Sequence, residues 1–177
     1  MPGKLWENTR DWHHKCEGHP VGAAMASGNP PKEWYAAWLS TLLGIHYKID
    51  PYMPQCAVRA NRLAQDINEL EVKLIIPTVV TDFMVSDISD DVAMGYAYVL
   101  TGAHLMGGEI MRRRLQGYPT NHLLWDNRKE TLEYLQTLRD QEAYTQGALD
   151  CFQLLYNSME AILTSGDAVT HPPGSHG

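Results

Sequence analysis

The stretch YVLTGAHLMGGEIMRRRL, Tyr98 to Leu115, decides how the whole chain is read. Its apolar residues recur at three and four and an arginine run closes it, so the spacing predicts a helix. Gly107 and Gly108 nevertheless sit side by side in its middle, with Gly102 shortly before them. An interior glycine costs a helix about 1 kcal/mol relative to alanine. Close helix packing or a kink without a ligand would explain the pair. So would bare backbone lying against something flat and bulky.

Working outward, most of the sequence carries helical period. A first helix is expected from about Lys4 to Cys16 and a short one from Val21 to Ala26. Pro31 opens a long helix whose buried stripe is read as Trp34, Trp38, Leu42, Ile45 and Ile49. Residues 57–74 give a fourth helix. The run IIPTVVTDF, residues 75–83, reads as a loop or short helix, because Pro77 argues against a central strand. Ser86 or Ser89 caps the helix that leads into the opening stretch. Two more helices are expected, roughly Arg128 to Tyr144 and Gly147 to Leu163. The fold class is all-α, with six to eight helices around one interior.

The 177 residues carry 14 basic and 21 acidic side chains, a net charge of -7, which argues against a nucleic-acid partner. Cys16, Cys56 and Cys151 lie outside any CxxC spacing and read as structural thiols of a reducing compartment. The first residues, MPGKLWENTRDWHH, hold no apolar signal core, and no stretch reaches membrane-span length. The chain is therefore read as cytoplasmic, with no membrane partner. His171 and His176 fall in a Pro/Gly-rich tail expected to be disordered.

In TRDWHHKCEGHP, Thr9 to Pro20, His13 and Glu17 are spaced i,i+4 and share a helix face. A carboxylate so placed accepts a ring N–H, fixes the histidine tautomer and leaves the other nitrogen for a metal. A solvated surface pair is the plainer alternative. His14 reads as pointing elsewhere into solvent, and His19 as a cap.

The segment TRDWHHKCEGHPVGAAMASGNPPKEWYAAWLSTLLGIHYKID, followed by GYAYVLTGAHLMGGEIMRRRL, resembles the heme oxygenases. The first part is similar to their proximal Thr-x3-His-x2-Ala-Glu region, with Cys16 in place of the alanine. The second is similar to their distal Gly-Gly helix, and RLAQDI echoes the Leu-x2-Asp-Leu between them. The likeness covers roughly residues 5 to 116 well and the C-terminal third loosely.

The resemblance implies a single heme oxygenase-like helical bundle over residues 1–165, with residues 166–177 as a disordered tail. Heme lies between a proximal and a kinked distal helix. It makes His13 the iron ligand, Glu17 its hydrogen-bond partner, and Gly107 and Gly108 the distal backbone that admits heme and O2. Tyr98 matches a tyrosine that helps hold a propionate. Where the family often has a lysine seven residues before the proximal histidine, this chain has Trp6. Gln153 and Asn157 stand where basic residues often lie on the last helix, so Lys4, Arg10 or one of Arg112 to Arg114 would have to substitute.

Many members carry an aspartate three residues before the glycine pair and a tyrosine on the aromatic-rich helix. Here His104 and His46 stand at those positions, and Ala103 replaces a glycine. Drift, a rebuilt proton-delivering water network, and His104 as a second iron ligand are all consistent with the sequence.

The implied activity is that of a monooxygenase opening the porphyrin of heme b, at once substrate and cofactor. O2 and electrons from a ferredoxin or flavoprotein reductase would give biliverdin, CO and ferrous iron. A basic rim at Arg112 to Arg114 would suit an acidic ferredoxin. The rival is a non-enzymatic heme-binding protein with His13 and His104 both on iron. A heme-free enzyme of similar architecture would need a placed nucleophilic cysteine or more carboxylate and histidine ligands in helical register. Neither set is found.

Overall fold

The computed structural model describes the backbone of residues 3–170 and the side chains of residues 3–165. Among the described residues nine α-helices follow one another: α1 (Lys4–Glu17), α2 (Pro20–Ser27), α3 (Lys32–Ile49), α4 (Ala60–Leu70), α5 (Thr78–Val85), α6 (Asp90–Met106), α7 (Gly108–Arg114), α8 (Arg128–Leu138) and α9 (Thr145–Thr170). Short 3-10 turns lie at Asp50–Tyr52, Asn121–Leu123 and Glu142–Tyr144. Among the described residues there is no strand, and no helix is long and apolar enough to cross a membrane.

Local chemistry sets most boundaries. The imidazole of His19 accepts from Val21 N as the cap of α2, Pro20 follows it, and Gly28 ends the helix at φ 83°. Ser89, rather than Ser86, caps α6 by accepting from Val92 N, with Asp90 and Asp91 in the first turn. The start of α4 has no cap of its own. Asp50 supplies one from a distance, its Oδ2 accepting from Arg59 N at 3.1 Å and Ala60 N at 2.8 Å.

Helix α9 is the spine. α1, α2, α3, α5 and α6 all pack against it around Ala148, Cys151, Phe152, Leu155, Met159 and Ile162. Gly95 on α6 and Gly147 on α9 make the central crossing close. A Cβ at either would collide with backbone of the other segment. The fully buried Leu39, Ile45, Leu63 and Leu100 each contribute about 1.5–3 kcal/mol of hydrophobic stabilisation.

The structure revises several expected bounds. The stretch from Tyr98 to Leu115 is not one helix: it breaks at Gly107, which separates α6 from α7. α4 is shorter than the 57–74 segment, and the 128–144 segment divides into α8 and a 3-10 turn. In α3 the deepest aromatic is Tyr35, with Leu39 beside it, while Trp34 and Trp38 are half-buried. α9 continues to Thr170, into the segment expected to be a tail. His171 and His176 lie outside the described residues.

Candidate functional site

Helices α1 and α6 each lie on α9 rather than on one another. On α1, Leu5, Thr9, Trp12 and Cys16 turn inward. Cys16 Sγ donates to Phe152 O at 3.5 Å, and burial pushes its thiol up to about 11, so it is a packing group rather than a nucleophile. The other side of α1 carries Trp6, Arg10, His13 and Glu17 at helical spacing, and it stays half or fully exposed.

The His13 Nδ1 lies 3.3 Å from Glu17 Oε1. That nitrogen is shielded from solvent yet makes no aligned hydrogen bond. The ring is held edge-on by Trp6 at 4.9 Å and Phe152 at 6.0 Å between centroids. Burial lowers the His13 pKa below the usual imidazole value, Glu17 opposes that and His14 reinforces it. His13 is therefore neutral near pH 7, the form that ligates metals. With Nδ1 towards Glu17, Nε2 is the nitrogen at the far side of the ring. His14 is exposed as expected, but it does not point wholly elsewhere: its Nδ1 lies 3.6 Å from the same Glu17 oxygen.

On α6 and α7, Ala103, Met106, Gly107 and Ile110 form an exposed stripe. Met106 is 61% exposed and Ile110 56%. A Cβ at Gly107 would meet only Ala103 O, at 3.7 Å, an ordinary contact. Gly107 also keeps a right-handed backbone, φ -95° and ψ -12°, open to any residue. Neither packing nor conformation demands glycine there. Gly108 differs, because its Cβ would press on Leu123 at 3.3 Å.

Behind this stripe, α3, α4, α6 and the Asn121–Leu123 turn bring together a buried polar chain. His46 Nδ1 lies 2.7 Å from Asp50 Oδ1, and His46 Nε2 lies 3.1 Å from His104 Nε2. The His104 ring stands at right angles to His122, centroids 5.7 Å apart. His122 Nδ1 lies 2.6 Å from Asp66 Oδ2. Asp66 also accepts from His122 N, Asn121 N and Asn121 Nδ2. Burial would raise its carboxyl pKa, but these bonds outweigh burial and hold it low.

Burial drives His104 well below the ordinary histidine range, helped by His46, His122 and Arg59. Burial also lowers His122, against the pull of Asp66. Arg59, pushed down to about 10 by burial and Arg62, stacks 3.7 Å over Trp125. It donates to His122 O and Leu124 O, which pins the turn carrying His122.

At the other end of the exposed α1 face, Lys4 N donates to Asp140 Oδ1 and Leu5 N to Arg139 O. Tyr98 lies in the same region: burial raises its phenol, Arg139 lowers it and Asp140 raises it again. The Lys4 ammonium is exposed, 3.9 Å from Glu7, and Arg10 is exposed on the His13 face.

The remaining residues singled out in the sequence lie elsewhere. Gln153 and Asn157 line a groove with Val79 and Phe83 on the α5 side of α9, away from α1. Arg112 and Arg113 pair with Glu109, and Arg114 donates to Ala26 O. Sequence reasoning missed Asp50, His122 and Arg139. Asp50 had a signal, since His46-x3-Asp50 repeats the spacing of His13-x3-Glu17.

No protein-family model matches the chain, and no curated protein does. Solved structures do. The heme complex of heme oxygenase-1 from the cyanobacterium Synechocystis superposes with a TM-score of 0.76 at 15% identity, over 94% of this chain and 96% of that one. Heme oxygenase from Leptospira interrogans gives 0.70 at 15% identity, over 89% and 96%. The chain has the heme oxygenase fold.

Proposed function

We propose that this protein is a heme-degrading monooxygenase whose substrate sits between the exposed faces of α1 and α6–α7. The observation that carries the proposal is Gly107. It is a glycine that the protein's own atoms do not require, set in an exposed apolar stripe of a heme oxygenase fold. The chemistry of these two faces fits a heme on two counts. The space a Cβ would take at Gly107 is open, and the shielded Nδ1 of His13 lacks an aligned partner while Glu17 waits 3.3 Å away.

Bound heme b would supply both the iron that activates O2 and the porphyrin edge that is oxidised. His13 would hold it through Nε2. A small shift lets Nδ1–H donate to Glu17, which fixes the tautomer and raises the ligand's basicity. Gly107 would leave room for heme and O2, and Gly108 lets the backbone close on Leu123. Ala103, Met106 and Ile110 would cover the ring and exclude water.

The propionates want cationic and hydroxyl partners. Tyr98, Lys4 and Arg139 lie together near the start of α1 and would supply them, with Arg10 further along that helix. His46 and His104 would manage protons on the distal side. Electrons must come from a ferredoxin or a flavoprotein reductase, and the products would be biliverdin, CO and ferrous iron.

The rival, a heme carrier ligated by His13 and His104, finds less support. His104 Nε2 already faces His46 Nε2 at 3.1 Å, and the ring is buried among His46, His122 and Arg59. Binding iron through Nε2 would cost that contact.

A hemin titration tests the reading. Wild type should give a Soret band saturating at one equivalent. His13→Ala should lose that spectrum, with added imidazole partly restoring it. An unchanged spectrum in His13→Ala removes His13 as the ligand.

A further inference from the structure

We propose that Asp50 polarises the His46–His104 pair so that His104 presents its Nδ1 as a hydrogen-bond acceptor, not a donor. Asp50 Oδ2 is occupied by two obligate donors, Arg59 N and Ala60 N. Its Oδ1, at 2.7 Å, is left as the acceptor for His46 Nδ1. His46 therefore carries a proton on Nδ1, and in the neutral form of that ring Nε2 has only a lone pair. The 3.1 Å contact between the two Nε2 atoms must contain one proton. With both rings neutral it comes from His104, which is then the Nε2–H tautomer with an unprotonated Nδ1.

The surroundings keep that state. Arg59 stands as a fixed cation at the same cluster, and His122 is committed through Nδ1 to Asp66. The carboxylates of Asp50 and Asp66 each hold one flanking histidine, so His104 is the member of the chain whose tautomer is set by a neighbour's lone pair. Asp50 also lines a groove of about 890 Å³ with Tyr47, Arg62 and Glu130. The polarising carboxylate thus sits at the solvent end and His104 at the inner end.

Resting on the function proposed above, an acceptor at His104 Nδ1 would take one O–H of a distal water. The other O–H of that water would be directed onward. Asp50 is then a positioning residue acting through two imidazoles.

Two-bond ¹H–¹⁵N correlation spectra of histidine side chains in the heme-free protein test this near pH 8, above the ordinary imidazole pKa of about 6.5. Wild type should show His46 as the Nδ1–H tautomer and His104 as Nε2–H. In Asp50→Asn the backbone N–H groups claim the single carbonyl oxygen and the amide N–H₂ turns to His46. Both tautomers should then invert, to Nε2–H at His46 and Nδ1–H at His104. Wild-type His104 in the Nδ1–H form, or tautomers unmoved in the variant, overturns the proposal. Should Asp50→Asn fail to fold, the wild-type spectrum alone decides. The spectra need no heme, so their outcome is independent of whether the protein degrades it. In the loaded enzyme Asp50→Asn should shift the pH profile of ring opening more than hemin affinity, and an unmoved profile counts against the positioning role.

Discussion

Replacing Gly107 with leucine separates space kept for a ligand from space demanded by packing. The nearest atom to an added Cβ is Ala103 O at 3.7 Å, and the backbone at φ -95° and ψ -12° suits an L-residue. Leucine recovers up to about 1 kcal/mol of helix propensity over glycine, offset in part by the C-terminal position and by exposed apolar surface. The heme-free protein should therefore change by no more than about 1 kcal/mol, a Tm shift within about 4 °C at this chain length.

Gly95→Ala is the contrasting case. Its methyl would strike Tyr144 O and Ala148 N, and overpacking backbone against backbone costs about 1–3 kcal/mol or more. In Gly107→Leu the side chain would occupy the ligand's volume, and hemin affinity should fall at least tenfold, about 1.4 kcal/mol. Circular-dichroism melts of heme-free protein beside Soret titrations read both quantities. A Gly107→Leu protein that melts like Gly95→Ala, or that binds hemin as tightly as wild type, refutes the reasoning.

Three further outcomes follow from the same geometry. His14→Ala should leave the hemin spectrum and affinity near wild type, because His14 is exposed whereas His13 is half-buried between Trp6 and Phe152; a loss matching that of His13→Ala would exchange their roles. His104→Ala should still bind hemin, but with a changed pH–rate profile. If wild type is instead low-spin and the variant becomes high-spin and oxygen-reactive, the protein is a carrier. Buried His104 resists protonation while the unfolded chain titrates near 6.5. Stability is therefore full above about pH 6.5 and falls on acidification, by about 1.4 kcal/mol per pH unit from this residue alone. Denaturant melts of wild type and His104→Gln between about pH 7.5 and 5.5 should show the flatter slope in the variant, and equal slopes would place the proton elsewhere.

Helical period made the all-α class legible, and caps at His19 and Ser89 marked real boundaries because they act within two or three residues. The break at Gly107 was visible as a cost, but the reason for it was not, since the space beside a glycine depends on helices far away in sequence. His13 with Glu17 could be read because i,i+4 neighbours meet on any helix. By the same rule His46 with Asp50 was available and went unread. His122 with Asp66 pairs across 56 residues, which no local spacing reveals. The face taken by Gln153 and Asn157 was hidden for a related reason: register along α9 fixes it, and they line a groove with Val79 and Phe83 of α5. Arg139 became apparent only when the start of α1 was seen bonded to the Arg139–Asp140 segment.

The most direct measurement is a single turnover of the one-to-one hemin complex in air, driven by a reduced ferredoxin or a flavoprotein reductase. The Soret band should decay into a bilin absorbance, with one CO and one chelatable ferrous iron released per heme. A Soret band that persists through reduction and oxygenation, with neither CO nor free iron, would contradict heme degradation and leave a protein that only binds heme.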